Sequence, residues 1–123
     1  MKPGLMIAAA VAATLAATAH AAPADSYRAR TTADLVAVCG TASGDKDYAT
    51  AIAFCHGVLA GAYNYYDLTT LGNKRFVCPP DPAPKRAQVA AEFVAWAKAR
   101  PQYMDAHGID TLFRFAAEKY PCR

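Results

Sequence analysis

The residues with the clearest chemistry are four cysteines, Cys39, Cys55, Cys78 and Cys122. Thiols form disulfides, ligate metals or act as nucleophiles, and their spacing helps to separate these roles. No pair has CxxC spacing, and His56 directly follows Cys55, so on a helix those two side chains would point about 100° apart. The spacing therefore argues against a metal site, and neither a metal nor another cofactor is expected. An even number of cysteines in a short exported chain indicates two disulfides.

The remaining polar residues form no recognisable catalytic constellation. The only close pair of carboxylates, Asp45 and Asp47, precedes a predicted helix, a position typical of a cap. His56 and His107 have no partner in the sequence that would suit acid–base catalysis. We therefore expect that the protein is not an enzyme.

The first 21 residues have the pattern of a secretory signal peptide. Lys2 supplies a positive start, residues 5–19 are apolar, and Ala19-His20-Ala21 has the small-x-small form of a cleavage site. The apolar run is shorter than the roughly 20 residues that a membrane-spanning helix needs. The sequence thus predicts export to the periplasm, removal of residues 1–21, and no membrane attachment afterwards.

Residues 22–123 are expected to form a single domain. One of the thirteen basic residues, Lys2, lies in the signal peptide, so the remaining 102 residues have a net charge of +2. A domain of this size buries only about 60–70% of its unfolded surface, so disulfides in an oxidising compartment would help to stabilise it. The small charge and the predicted export both argue against nucleic-acid binding.

Apolar residues recur at helical spacing through the predicted domain. A short first helix is expected after a capping signal at 31–34, a long second helix from 48 to about 67, a third over 85–100 and a last over 111–119. Four prolines at 79–84 predict an extended connection before the third helix. No strand is convincing. The expected fold class is all-α, a small disulfide-stapled helical domain of about four helices.

The second and third helices carry the clearest predicted faces. Gly57 and Gly61 lie four residues apart in the second helix, at a cost of about 1 kcal/mol each relative to Ala, which predicts that another helix crosses there closely. The predicted buried positions of these two helices are Ile52, Cys55, Leu59, Ala62, Tyr63 and Tyr66, followed by Val89, Phe93, Trp96 and Ala97.

Four cysteines allow three pairings, and the sequence alone does not decide among them. Cys39 and Cys55 flank the first loop between helices, whereas Cys78 and Cys122 flank the C-terminal helical pair. Pairing them in this way closes two separate loops, which would contribute about 3 and about 4 kcal/mol by the chain-entropy estimate. We favour this pairing for its economy.

A tyrosine cluster marks the end of the second helix. Tyr65 lies about 100° from Tyr66 and about 200° from Tyr63 around the helix, so the three rings cannot share one buried face. Either one ring meets a partner protein, or Tyr65 lies over the following loop and covers Phe76. Two basic residues in that loop would suit an acidic partner. The candidate partner-binding residues are Tyr63, Tyr65, Tyr66, Lys74 and Arg75.

Five elements occur in a fixed order: Leu35…Cys39, Cys55-His56-Gly57…Gly61, Phe76-Val77-Cys78-Pro79, a helix ending Ala99-Arg100-Pro101, and Tyr120-Pro121-Cys122. Behind a signal peptide, this order resembles the Rap/Tai family of type VI secretion immunity proteins. The resemblance implies a small helical periplasmic protein with two disulfides that binds and blocks a peptidoglycan amidase effector and so protects the producing cell. Some members are dimers, so it also allows a homodimer.

Three other interpretations remain open at this point. The chain could be an orphan member of the family with no effector. It could be a periplasmic stress chaperone of the HdeA type, although ten carboxylates and two disulfides suit acid-triggered unfolding poorly. An enzyme of unknown class ranks last, because no catalytic set is present in the pattern.

Overall fold

The computed structural model describes residues 21–123, and the predicted signal peptide lies, except for Ala21, outside them. The chain forms four α-helices, α1 (Thr32–Cys39), α2 (Tyr48–Thr69), α3 (Arg86–Lys98) and α4 (Gly108–Lys119). Short 3-10 turns occupy Ala24–Arg28, Gly72–Lys74 and Pro101–Tyr103. Across residues 21–123 the only extended pairings are two isolated bridges, Thr31 with His107 and Val77 with Pro121. The expected all-α fold with four helices is confirmed.

Helix α1 lies at the centre of the domain, where it packs against α2, α3 and α4. Its Leu35 and Val38 are fully buried, because residues three apart share one face of a helix. Phe93 of α3 and Phe115 of α4 pack edge to face within the same core, with their ring centroids 5.8 Å apart. The three longer helices thus bury their apolar faces against one short central helix.

The start of α1 is fixed by a capping box. The Thr31 hydroxyl accepts a hydrogen bond from the Asp34 backbone N–H at 3.1 Å, and the Asp34 carboxylate accepts one from the Thr31 N–H at 2.9 Å. The carboxylate also accepts from the Arg30 N–H. These bonds, led by the one from the Thr31 backbone, hold the pKa of Asp34 below its usual value. The capping signal at 31–34 is therefore confirmed.

The predicted helix crossing at Gly57 and Gly61 is wrong. A Cβ added at either glycine would meet no atom within 4 Å. The buried face of α2 instead runs through Ala51, Cys55 and Leu59, roughly on the opposite side of the helix from Gly57. The neighbouring helices pack on that buried face, so the side of α2 that carries Gly57 and Gly61 is exposed.

A close approach of backbones occurs instead at Gly108. Gly108 is the first residue of α4, so this helix begins three residues earlier than predicted. A Cβ here would lie 2.8 Å from the Thr31 carbonyl oxygen and 3.0 Å from a methyl carbon of Leu35. The Gly108 N–H donates to the Arg30 carbonyl. The glycine therefore allows α4 to start directly against α1.

The buried face of α3 differs slightly from the predicted one. Phe93 and Ala97 are buried as expected, but Ala90 and Val94 complete the buried set, whereas Val89 and Trp96 are only partly buried. Trp96 lies at the edge of the core, where it stacks on Tyr103 with the two rings nearly parallel. The large aromatic ring was expected inside, whereas the small Ala90 is the residue found buried, with 1% of its surface exposed.

The two disulfides have the pairing that we favoured, Cys39 with Cys55 and Cys78 with Cys122. The first joins the end of α1 to α2 inside the core, where Cys55 is fully buried. The second lies at the surface and joins the segment after α2 to the end of the chain. None of the helices in residues 21–123 is long and apolar enough to cross a membrane.

Candidate functional site

The side chains considered for catalysis or metal binding do not form a larger cluster in the described residues. In the part of the chain that the structure describes, no three His, Cys, Asp or Glu side chains are grouped to hold a metal ion. The Asp45 carboxylate accepts a hydrogen bond from the Asp47 backbone N–H at 2.8 Å, as in a turn. Asp47 is the N-cap residue of α2, although its side chain makes no capping bond. This pair therefore shapes the turn before α2.

The most distinctive surface lies at the C-terminal end of α2 and in the turn that follows. Four large apolar side chains are exposed here within a stretch of twelve residues. Tyr65 is 72% exposed, Leu68 76%, Leu71 67% and Phe76 48%. We call these four residues the apolar tip. Exposed apolar side chains are unfavourable in water, so four of them within twelve residues make this stretch the candidate contact surface.

The buried Tyr66 fixes the backbone next to the apolar tip. Its side chain is only 5% exposed, and its hydroxyl accepts hydrogen bonds from the backbone N–H groups of Phe76 and Val77, both at 2.8 Å. The same hydroxyl lies 3.4 Å from the Val77 carbonyl oxygen, to which it donates. These bonds fix the returning chain against α2, so the exposed side chains are presented by a pre-formed backbone.

Aromatic packing connects the tip to the rest of the domain. The Tyr66 ring lies 5.0 Å from that of Phe76 and 5.1 Å from that of Phe113 in α4, measured between centroids. Phe76 also packs edge to face on Phe113. Such pairs add about 0.5–1.5 kcal/mol each beyond the area that they bury. The predicted alternative, Tyr65 covering Phe76, is not the packing observed, since Phe76 packs on Tyr66 and Phe113.

Two basic residues, Lys74 and Arg75, lie in the loop beside the tip, and they differ in their ion pairing. The Arg75 guanidinium lies 2.7 Å from the Asp67 carboxylate, and this hydrogen bond raises the pKa of Arg75. Arg75 also reaches the Tyr63 hydroxyl and lies over the Tyr66 ring. Lys74 is exposed, and in residues 21–123 no carboxylate oxygen lies within 4 Å of its ammonium group. The two cations of this loop therefore differ in their pairing.

Of the five predicted partner-binding residues, the structure brings Tyr63, Tyr66 and Arg75 into contact with one another. Tyr65 and Lys74 are exposed, Tyr63 and Arg75 are partly buried, and Tyr66 is buried. Leu68 and Leu71 were not among the predicted partner-binding residues. The signal was present, because Tyr65 and Leu68 are three residues apart and lie off the buried stripe of α2.

A groove of about 310 Å³ lies beside the tip. It is bounded by α2, the proline-rich connection, the start of α3, and α4, and its lining is mostly apolar. Two of its residues connect the groove to the tip and its loop. The Tyr63 hydroxyl is hydrogen-bonded to Arg75, and Phe113 packs on Phe76 of the tip. Its lining residues include Leu59, Ala60, Tyr63, Arg86, Val89 and Phe113.

The fold defines a class: a small all-α domain stapled by two disulfides, here with four large apolar side chains exposed at and after the end of α2. The chain matches the family model of the Rap1a immunity proteins over residues 31–122. The match covers most of the 123 residues, and the chain therefore belongs to the Rap1a immunity protein family. Comparisons with curated proteins and with solved structures gave no match.

Proposed function

We propose that this protein is exported to the periplasm as residues 22–123 and there binds and occludes a peptidoglycan amidase effector of type VI secretion. Membership of the immunity family supports binding to a cognate effector. The resemblance to the Rap/Tai proteins supports the choice of an amidase. The observation that carries the proposal is the apolar tip, where Tyr65, Leu68, Leu71 and Phe76 are exposed together on a supported backbone.

Occlusion requires a surface that fits the enzyme's cleft and does not require a catalytic residue. An exposed apolar segment at the end of a long helix can enter a cleft and exclude a polymeric substrate from it. Tyr65 offers apolar area together with a polar hydroxyl, a combination that is enriched at the energetic centres of interfaces. Because Tyr66 holds the backbone in place before binding, little conformational entropy is lost on association. The free ammonium group of Lys74 would speed association with an acidic patch.

The first experiment uses the oxidised exported protein to capture an amidase from a strain with type VI secretion active. The captured enzyme is then titrated with the protein while peptidoglycan hydrolysis is followed. We expect stoichiometric loss of hydrolysis. If no hydrolase is retained under conditions where a known immunity protein retains its own effector, the proposal is wrong. The orphan and stress-chaperone interpretations would then take precedence.

Paired variants test the place of binding. Replacing Tyr65 and Leu68 together by Ala removes two exposed tip side chains and should weaken binding at least about 100-fold, since interface hot spots contribute about 2 kcal/mol or more each. The matched control replaces Lys46 and Thr50 by Ala, both exposed and near the opposite end of α2. The control should bind like the wild type. Equal affinity for both double variants would place the interface elsewhere.

A further inference from the structure

The groove beside the tip has the size and lining of a binding site. Its volume of about 310 Å³ lies at the lower end of the range of small-molecule pockets, and suits a single large side chain. Leu59 and Tyr63 form the α2 wall, and Phe113 lies on the α4 side. Ala60 also lines the groove, and a larger apolar residue there would occupy part of the space. The groove is thus an apolar cavity that the domain's own side chains leave open.

One positive charge, that of Arg86, borders the groove. Arg86 is the only charged side chain that lines it, and across the described residues no carboxylate oxygen lies within 4 Å of its guanidinium. Lys85 precedes it, and the first turn of α3 contains no acidic residue. The nearby Asp81 belongs to the proline-rich connection but does not line the groove. An anion close to an apolar group would therefore be complementary to this site.

We propose that this groove is an anchor site for one aromatic or branched aliphatic side chain of the bound effector, with a carboxylate close to it that pairs with Arg86. The inference rests on the proposed function and extends it to a second contact. Continuity supports it, because Phe113 lines the groove and also packs on Phe76 of the tip. A single partner surface can therefore cover both features. The occupant is a protein segment with apolar and acidic side chains side by side.

The chemistry of the groove can be tested without the effector. The probe is 4-phenylbutyrate, and its neutral analogue 4-phenylbutanamide is the matched control ligand. Both are titrated into the isotope-labelled exported protein, and backbone shifts are followed by NMR. We expect saturable shifts at groove residues such as Leu59, Val89 and Phe113. The acid should bind about two- to fivefold more tightly than the amide, the range for an exposed ion pair. No saturable shift at the groove would overturn the proposal.

Two variants separate the apolar and the charged contributions. Arg86→Gln should bring the acid to the affinity of the amide and leave the amide unchanged. Ala60→Leu should abolish binding of both, whereas Ala53→Leu, on an exposed position of the same helix, should not. If Ala60→Leu does not fold, Ala83→Leu at the wall formed by the connection serves instead. Unchanged probe binding in the filled variants would contradict the assignment.

The amidase titration then distinguishes the two proposals. If both are correct, Ala60→Leu should weaken inhibition about tenfold or more, and Ala53→Leu should not. Full inhibition by Ala60→Leu and Arg86→Gln, with loss of inhibition in the Tyr65 and Leu68 double variant, would overturn the groove while the proposed function stands. Self-association of the wild type that Ala60→Leu abolishes would assign the groove to a second copy of the chain instead of the effector. If no amidase binds, the proposed function fails, and the probe titration still decides the chemistry of the groove.

Discussion

A single hydroxyl fixes the proposed binding surface without forming part of it. Tyr66→Phe keeps the buried ring but removes the acceptor for the Phe76 and Val77 N–H groups. Leaving such donors unpaired costs about 1–3 kcal/mol, so the free energy of unfolding should fall by that amount in urea denaturation. Tyr65→Phe is the matched control, because this side chain is 72% exposed, and should change stability by less than about 0.5 kcal/mol. Equal stability of the two variants would contradict the assigned role of Tyr66.

Asp34 gives the protein a defined sensitivity to acid. Its pKa is lowered in the folded state, first by the hydrogen bond from the Thr31 backbone, so its contribution to stability is complete above the unfolded pKa. That contribution is lost as the pH falls through about 4 towards the folded pKa. Asp34→Asn keeps an acceptor oxygen but cannot titrate. Unfolding curves measured between pH 6 and 2 (roughly the window in which carboxylates titrate) should show a smaller loss of stability for the variant. Parallel pH profiles would exclude this role.

The tyrosine cluster shows how far residue-level prediction reaches. Helical geometry correctly required that Tyr63, Tyr65 and Tyr66 point in different directions. The geometry could not say that Tyr66 would be the most deeply buried of the three, because this depends on the returning segment at Val77 and on Phe113 in a distant helix. Contacts between residues far apart in sequence decide which ring is available to a partner.

At the level of the helices, two kinds of glycine should respond in opposite ways to the same substitution. Gly61→Ala should stabilise the protein by about 1 kcal/mol, since the new methyl group meets open space inside an α-helix. Gly108→Ala should destabilise it by about 1–3 kcal/mol, because the methyl group would lie 2.8 Å from the Thr31 carbonyl oxygen. Chemical denaturation measures both. Destabilisation by Gly61→Ala would indicate that another chain covers this face of α2.

These glycines also explain why element prediction was only partly successful. The order of the helices and the capping signal at 31–34 follow from local preference and periodicity, which the sequence records directly. The space around a glycine depends on which helix packs on which face. Gly57 and Gly61 therefore resembled a crossing point, although the close contact with a neighbouring helix is between Gly108 and the start of α1.

The whole molecule is organised by the unequal lengths of its helices. Helix α2 has 22 residues and extends over about 33 Å, whereas α3 has 13 and α4 has 12. The shorter helices and the core therefore cannot cover all of α2, and its C-terminal end carries the apolar tip. The sequence predicted the long helix, and the economy of two separate loops favoured the observed disulfide pairing without deciding it. It could not predict the groove, whose walls come from four separate parts of the chain.

The two disulfides should differ in their resistance to reduction and in their effect on the tip. Cys39 is 7% exposed and Cys55 is fully buried, whereas Cys78 is exposed, so a small thiol reaches the second bond more readily. Mild reduction followed by alkylation and mass spectrometry should label Cys78 and Cys122 first. Labelling of Cys39 and Cys55 first would contradict this order.

Loss of the second disulfide should then release the segment that Tyr66 holds. Its 44-residue separation makes the bond worth about 4 kcal/mol by the chain-entropy estimate, against about 3 kcal/mol for the first. The Cys78 N–H also donates to the Tyr120 carbonyl, so both supports lie next to the tip. Replacing Cys78 and Cys122 by Ser should accelerate amide exchange at Val77 before the core helices open. Uniform acceleration across all four helices would show instead that this disulfide stabilises the whole domain and leaves the tip no more mobile than the core.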